Sequence, residues 1–220
     1  DDPEKDDRSE SVGNPLHKTN LTLALIDNMT AGVFAGAIQP KRLDKGDLQK
    51  NIEDIAFATL DAALENKDST TRIVLSSDDP QAQALYLQQL SELLEEPVLT
   101  IISGGSQPTF VIASQDLVSG HTARARVGYM QIADTFSEAY DHMSAVTVPP
   151  SFKTWHVATL DLLHSMVVAH RELALAPTDD PVRSMIAVNL IGRQMLIAQG
   201  LLQNLRILVA KNKVAIPNST

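Results

Sequence analysis

Residues 181–210 read PVRSMIAVNLIGRQMLIAQGLLQNLRILVA, a run with apolar side chains on nearly every face of a helix. Met185, Ile186, Leu190, Ile191, Met195, Leu196, Leu201, Leu202, Leu205 and Leu208 leave no continuous polar stripe. A helix of that kind is buried inside a bundle or at an interface. Asp180-Pro181 supplies its start. The carboxylate can accept from the free N–H groups of the first turn and favours the positive end of the helix dipole, while proline at the first helical position loses no hydrogen bond. The helix is expected to run to about Lys211.

The segment before it has the same character. Phe152 to Ala176 reads as a helix stopped by Pro177, so the last two helices form a long C-terminal hairpin. At 100° per residue, Phe152, Trp155, His156, Thr159, Leu163, Met166, His170 and Leu173 share one face. Val148-Pro149-Pro150 makes a rigid corner ahead of it, because proline fixes φ and the residue before it avoids the helical region. His156, one and a half turns past the corner, is placed to hydrogen-bond back towards its carbonyls. Upstream again, Gly120 to Val146 reads as a helix with Val127, Met130, Ile132, Ala133, Phe136, Tyr140 and Met143 inward.

Asp79-Pro80 opens another helix through Ala84, Leu85, Leu87, Leu90, Leu93 and Leu94, with Pro97 expected to end it. Residues 98–114 read two ways. Val98–Ile102 and Thr109–Ala113, on either side of Ser103-Gly104-Gly105-Ser106, are a β-hairpin that joins Ile73–Leu75 in a small βαββ insertion around 72–114, or they are helix ends around a loop. The fold class is therefore mainly α, a helical bundle with that insertion as the open point.

Nearer the N-terminus, Asp44 to Lys67 has helical spacing, and Asn20 to Ile38 contains a single charge, Asp27. Residues 20–38 approach membrane-spanning length, but Asp27 and Asn28 near the middle would be penalised in a bilayer, which favours a buried helix. Residues 1–16 hold six acidic and two basic side chains with almost nothing apolar to bury, and read as a flexible acidic tether ahead of a helical domain at 17–220. They have no apolar leader core. The start at Asp1 fits either a mature chain whose leader or membrane anchor lies upstream, or a chain trimmed at an arbitrary point.

The net charge of −9 argues against a dedicated nucleic-acid binder, which needs clustered Lys and Arg. It is unevenly spread. Residues 181–220 contain five basic and no acidic side chains, so residues 1–180 carry −14. This polarity suits pairing of the last helix with acidic elements of its own fold or of a partner. Arg193, Leu196, Leu205 and Arg206 form the candidate interface, and a charge at Leu196 or Leu205 is expected to unfold the domain or break its assembly.

The absence of cysteine excludes disulfides, zinc-thiolate sites, iron–sulfur clusters and a cysteine nucleophile. Phosphate-binding glycine loops and nucleophile elbows are absent as motifs. The pairs Asp78/Asp79 and Asp179/Asp180 precede prolines and are explained as helix caps. Of the six histidines, His156, His164 and His170 lie on one helix, spaced by 8 and 6 residues. One-helix metal pairs need three or four. No cofactor, metal or catalytic residue is therefore assigned. The alternative is a small-ligand or metal-binding sensor or enzyme using His142, His156 or His170 in a bundle cavity.

Four features in order carry a resemblance: Asn20-Leu21-Thr22 opening the first helix, Ser77 to Tyr86 (SDDPQAQALY) before a leucine-rich helix, Val148-Pro149-Pro150 with His156 six residues on, and Asp180-Pro181. The layout resembles uncharacterised exported helix-rich proteins of small-genome, candidate-phylum bacteria, which end in a VP…H…DP helical hairpin. That resemblance implies an all-helical extracytoplasmic domain and brings no activity with it. The expectation is a structural or protein-binding domain of a cell-envelope or secretion assembly. It would be no enzyme, with a protein partner or self-association, no nucleic acid, no known small molecule, and membrane contact only through an upstream anchor.

Overall fold

A cap and a proline set the first described helix, as the sequence requires. In the structure, a computed structural model, the backbone N–H groups of Gln81 and Ala82 donate to Asp79 Oδ1 at 3.0 and 2.9 Å. The structure describes residues 22, 23, 26, 73–102, 108–175 and 180–214. The chain divides into two units, Asp1–Lys67 and Asp68–Thr220, and the helices that follow belong to the second. In the first unit, Thr22, Leu23 and Ile26 are helical, inside the helix expected at 20–38. The tether boundary at 16/17, the 44–67 helix and the Ser103–Ser106 turn lie outside the described residues.

Among the described residues of the second unit, five α-helices follow one another: α1 Pro80–Ile102, α2 Pro108–Val118, α3 Thr122–Ser144, α4 Lys153–Leu175 and α5 Pro181–Asn212. A 3₁₀ turn, Pro150–Phe152, forms the corner before α4. The fold is a mainly α bundle with the long α4–α5 hairpin. Helix α4 is its centre, packed on both α3 and α5, with α2 on α3 and α1 against α3 and α5. The hairpin is antiparallel, since Trp155 near the start of α4 reaches Leu201 late in α5, while Glu172 meets Arg183 at the other end.

The β-hairpin alternative is corrected: residues 98–102 continue α1 and residues 108–113 begin α2. Ile73–Leu75 contributes one isolated parallel bridge, Leu75 to Val148, closed by Val148 N–H to the Val74 carbonyl (2.8 Å) and Ser76 N–H to the Val148 carbonyl (3.0 Å). The next two residues are Pro149 and Pro150, which have no N–H, so a ladder cannot extend. Pro97 likewise fails to end α1. It forfeits one bond to the Leu93 carbonyl, but its ring is buried among Leu94, Trp155 and Leu163, which offsets that loss.

The core face of α3 is Ala125, Tyr129, Ile132, Ala133, Phe136, Ala139 and Met143; Val127, expected inside, is exposed. Gly120 takes φ +79 after α2, where a side chain would be strained, and His121 N–H closes the turn on the Asp116 carbonyl at 2.7 Å. At the far end, Lys213 is also left-handed and ends α5 with bonds to Ala210 and Val209 carbonyls.

Helix α5 departs most from its sequence reading. One face is buried through Ile186, Ala187, Leu190, Ile191, Gln194 and Ala198. Met185, Val188, Leu196 and Ile207 face outward, Leu196 being 69% exposed. Of the two readings for such a helix, burial all round inside the bundle is not found, and the open apolar face leaves the interface reading standing as an expectation. By length and composition alone α5 is apolar enough to cross a membrane, with 33% of its apolar window buried.

Candidate functional site: an apolar groove between α1 and α5

Leucines recurring at three- and four-residue spacing place Leu87, Leu90 and Leu94 on one edge of α1. Opposite them stand Leu202, Leu205 and Val209 of α5, and the gap between the two rows is a cavity of about 520 Å³. Trp155 of α4 lies beneath it, and its indole N–H donates to the Leu201 carbonyl at 2.8 Å. It is the only tryptophan in the chain. A void of about 30 Å³ continues inward past it, bounded by Leu94, Pro97, Thr159 and Ala198. Two charges stand at the mouth, Glu95 on the α1 wall and Arg206 on the α5 wall, both exposed. The volume is in the range of binding pockets, and the walls are almost wholly aliphatic. An aliphatic side chain or helix face entering it would displace water from leucine surface. Besides Trp155, the polar side chains in its lining are Ser91, Glu95 and Arg206.

The sequence-assigned residues are placed as follows. Of the candidate interface, Arg206 and Leu205 line the groove, whereas Arg193 and Leu196 are exposed elsewhere on α5. Pro149 is buried, and Pro150 begins the 3₁₀ turn. Asp180 caps α5 ahead of Pro181, accepting from Arg183 N–H at 3.3 Å.

His156 is buried and joins three helices. The Tyr86 hydroxyl of α1 lies 3.0 Å from its Nδ1, and the ring also hydrogen-bonds the Met143 carbonyl of α3. A neutral imidazole has one N–H, which the carbonyl requires, so Nδ1 accepts from the Tyr86 O–H. His170 is buried against Phe136, ring centroids 5.5 Å apart, with Nδ1 donating to the Met166 carbonyl at 2.7 Å. Burial pushes both imidazoles down to about 4, partly opposed by these carbonyl bonds. Burial also raises the Tyr86 phenol.

His142 is exposed near the end of α3, and His156 and His170 are separated along α4 by roughly 21 Å of helix rise. The structure does not bring the three together. Among the described residues no group of three His, Asp or Glu side chains is arranged to hold a metal ion.

Two polar clusters were not foreseen. Asp78 leaves the capping to Asp79 and instead accepts from the Ser151 hydroxyl (2.7 Å) and the Gln83 amide (3.1 Å), tying the Pro150 corner to α1. These bonds, Ser151 first, hold its carboxyl below the usual range. At the hairpin tip, buried Arg183 stands 3.5 Å from Glu172 of α4 and 3.4 Å from Asp180. The available signal was an acid and a base at inward helical positions, where charge needs a partner.

No known protein family, no curated protein and no solved structure matches this chain.

Proposed function

We propose that the chain is a helical protein-binding domain that works as a structural part of an extracytoplasmic, cell-envelope or secretion assembly, and that the α1–α5 groove is its docking site. The observation that carries this reading is the open aliphatic cavity of about 520 Å³ over Trp155. Apolar surface of that kind, rimmed by charge, is characteristic of protein interaction sites. The extracytoplasmic assignment rests on the resemblance in hairpin layout.

The test is the native size of the protein in extracts of its own cells. The chain is expected in a species larger than its own 23.9 kDa. Leu205→Glu shifts it to the monomer size, and Val127→Glu, on exposed α3 surface, does not. A wild-type chain at monomer size, or one size for all three, overturns the reading. Degradation of the protein by protease added to intact, wall-stripped cells checks its location.

A further inference from the structure

The outward face of α5 carries a pattern that reads the same from either end. Its centre is Leu196, 69% exposed. Gly192 and Gly200 lie four residues to either side, Asn189 and Gln203 seven, and Met185 and Ile207 eleven. At 100° per residue all of them fall within about 40° of Leu196, and all are exposed. Small residues, amides and large apolar side chains thus recur in mirrored order about one point. The groove lies elsewhere on the helix, since Leu205, which lines it, is turned about 180° from Leu196.

A second α5 laid antiparallel, with a two-fold axis level with Leu196, meets this face with a matching one. Met185 comes level with Ile207 of the other copy, and Asn189 with Gln203. An amide both donates and accepts, so each Asn–Gln pair satisfies itself. Helical side chains lean towards the N-terminus, so the two Leu196 lean apart, each onto Gly200 of the other copy. A Cβ added at Gly192 or Gly200 would meet nothing within 4 Å, so that space is open to receive them. Other occupants lack this match. The pattern includes no charged side chain to draw an acidic or basic partner, and a lipid surface would strip Asn189 and Gln203 of water without replacing its hydrogen bonds.

We propose that the outward face of α5 is a self-association surface, which pairs two copies of this chain antiparallel about Leu196. The strip is about 33 Å long and one helix contact wide, on the order of 900 Å² over both copies. That is the size of a transient contact, with a dissociation constant of about 10 µM or weaker. At the dilution of a cell extract such a contact dissociates, so native size there reports on the groove alone and the two readings fail separately.

Sedimentation equilibrium of the purified full chain, taken into the high micromolar range, tests it. The wild type is expected to show a monomer–dimer equilibrium. Leu196→Asp places a charge against its own copy and raises the dissociation constant about tenfold or more, with circular dichroism melting unchanged; Val127→Glu leaves it as it was. The chain has no cysteine, so single-cysteine variants and a short bismaleimide read the register. Met185→Cys mixed with Ile207→Cys gives a linked dimer and neither alone does, because the two Met185 positions are about 33 Å apart. A chain that stays monomeric overturns the proposal, and so does a dimer that survives Leu196→Asp. Met185→Cys linking to itself overturns the antiparallel register. A monomer whose sedimentation with phosphatidylglycerol vesicles is lost in Leu196→Asp overturns it in favour of a lipid surface.

Discussion

At the scale of single residues, His156 and His170 make the stability of the bundle depend on pH. Both titrate at about 4 in the fold and near 6.5 when unfolded. Above pH 6.5 both are neutral in either state, and stability does not vary on their account. As pH falls from 6.5 towards 4 the unfolded chain takes up protons that the folded one refuses, so stability is lost at about 1.4 kcal/mol per pH unit per ring. Thermal melting between pH 7.5 and 4.5 should show this slope, with about half of it missing in His170→Gln. Tyr86→Phe removes the hydroxyl that satisfies Nδ1 and should cost about 1–3 kcal/mol in denaturant unfolding. The helical wheel placed both histidines inward because periodicity is local information. The partner of His156 is 70 positions away in sequence, and no spacing rule reports it.

The same limit holds for Arg183. Its position in the first turn of α5 was visible, but its pairing with Glu172 exists only once the hairpin closes. Arg183→Met leaves two buried carboxylates facing one another and should destabilise by about 3–5 kcal/mol, measured by urea unfolding.

At the scale of elements, α5 separates what periodicity tells from what it cannot. Its length, cap and proline start were legible, and so was the corner at Val148-Pro149-Pro150. Composition could not say which of its apolar faces meets α4, because each reads the same. The structure makes that choice: Leu190 is 1% exposed and Leu196 69%. Leu190→Asp should therefore abolish folding, whereas Leu196→Asp should change stability by no more than about 0.5 kcal/mol. Of the two outcomes expected for a charge at Leu196, this removes unfolding and leaves loss of assembly. Pro97 teaches a related lesson: a proline costs one backbone bond, and a helix continues through it where the ring is buried. The turn between α2 and α3 depends on Gly120, so Gly120→Val should lower the melting temperature, being forced into positive φ.

At the scale of the whole molecule, charge polarity was the most informative sequence feature, and its meaning became spatial only with the fold. The acid-free C-terminal segment supplies one wall of a groove whose other wall carries Glu95. Sequence singled out Leu205 and Arg206, which line that groove, alongside Arg193 and Leu196, which do not. It could not identify the leucine row on α1 as the opposite wall, since more than a hundred residues of chain separate the two rows. The most direct measurement is photo-crosslinking in intact cells from a benzophenone side chain placed at Leu205, with Val127 as the control position. The account predicts discrete protein adducts from Leu205 and none from Val127. No adduct from Leu205, or equal yields from both positions, would contradict it.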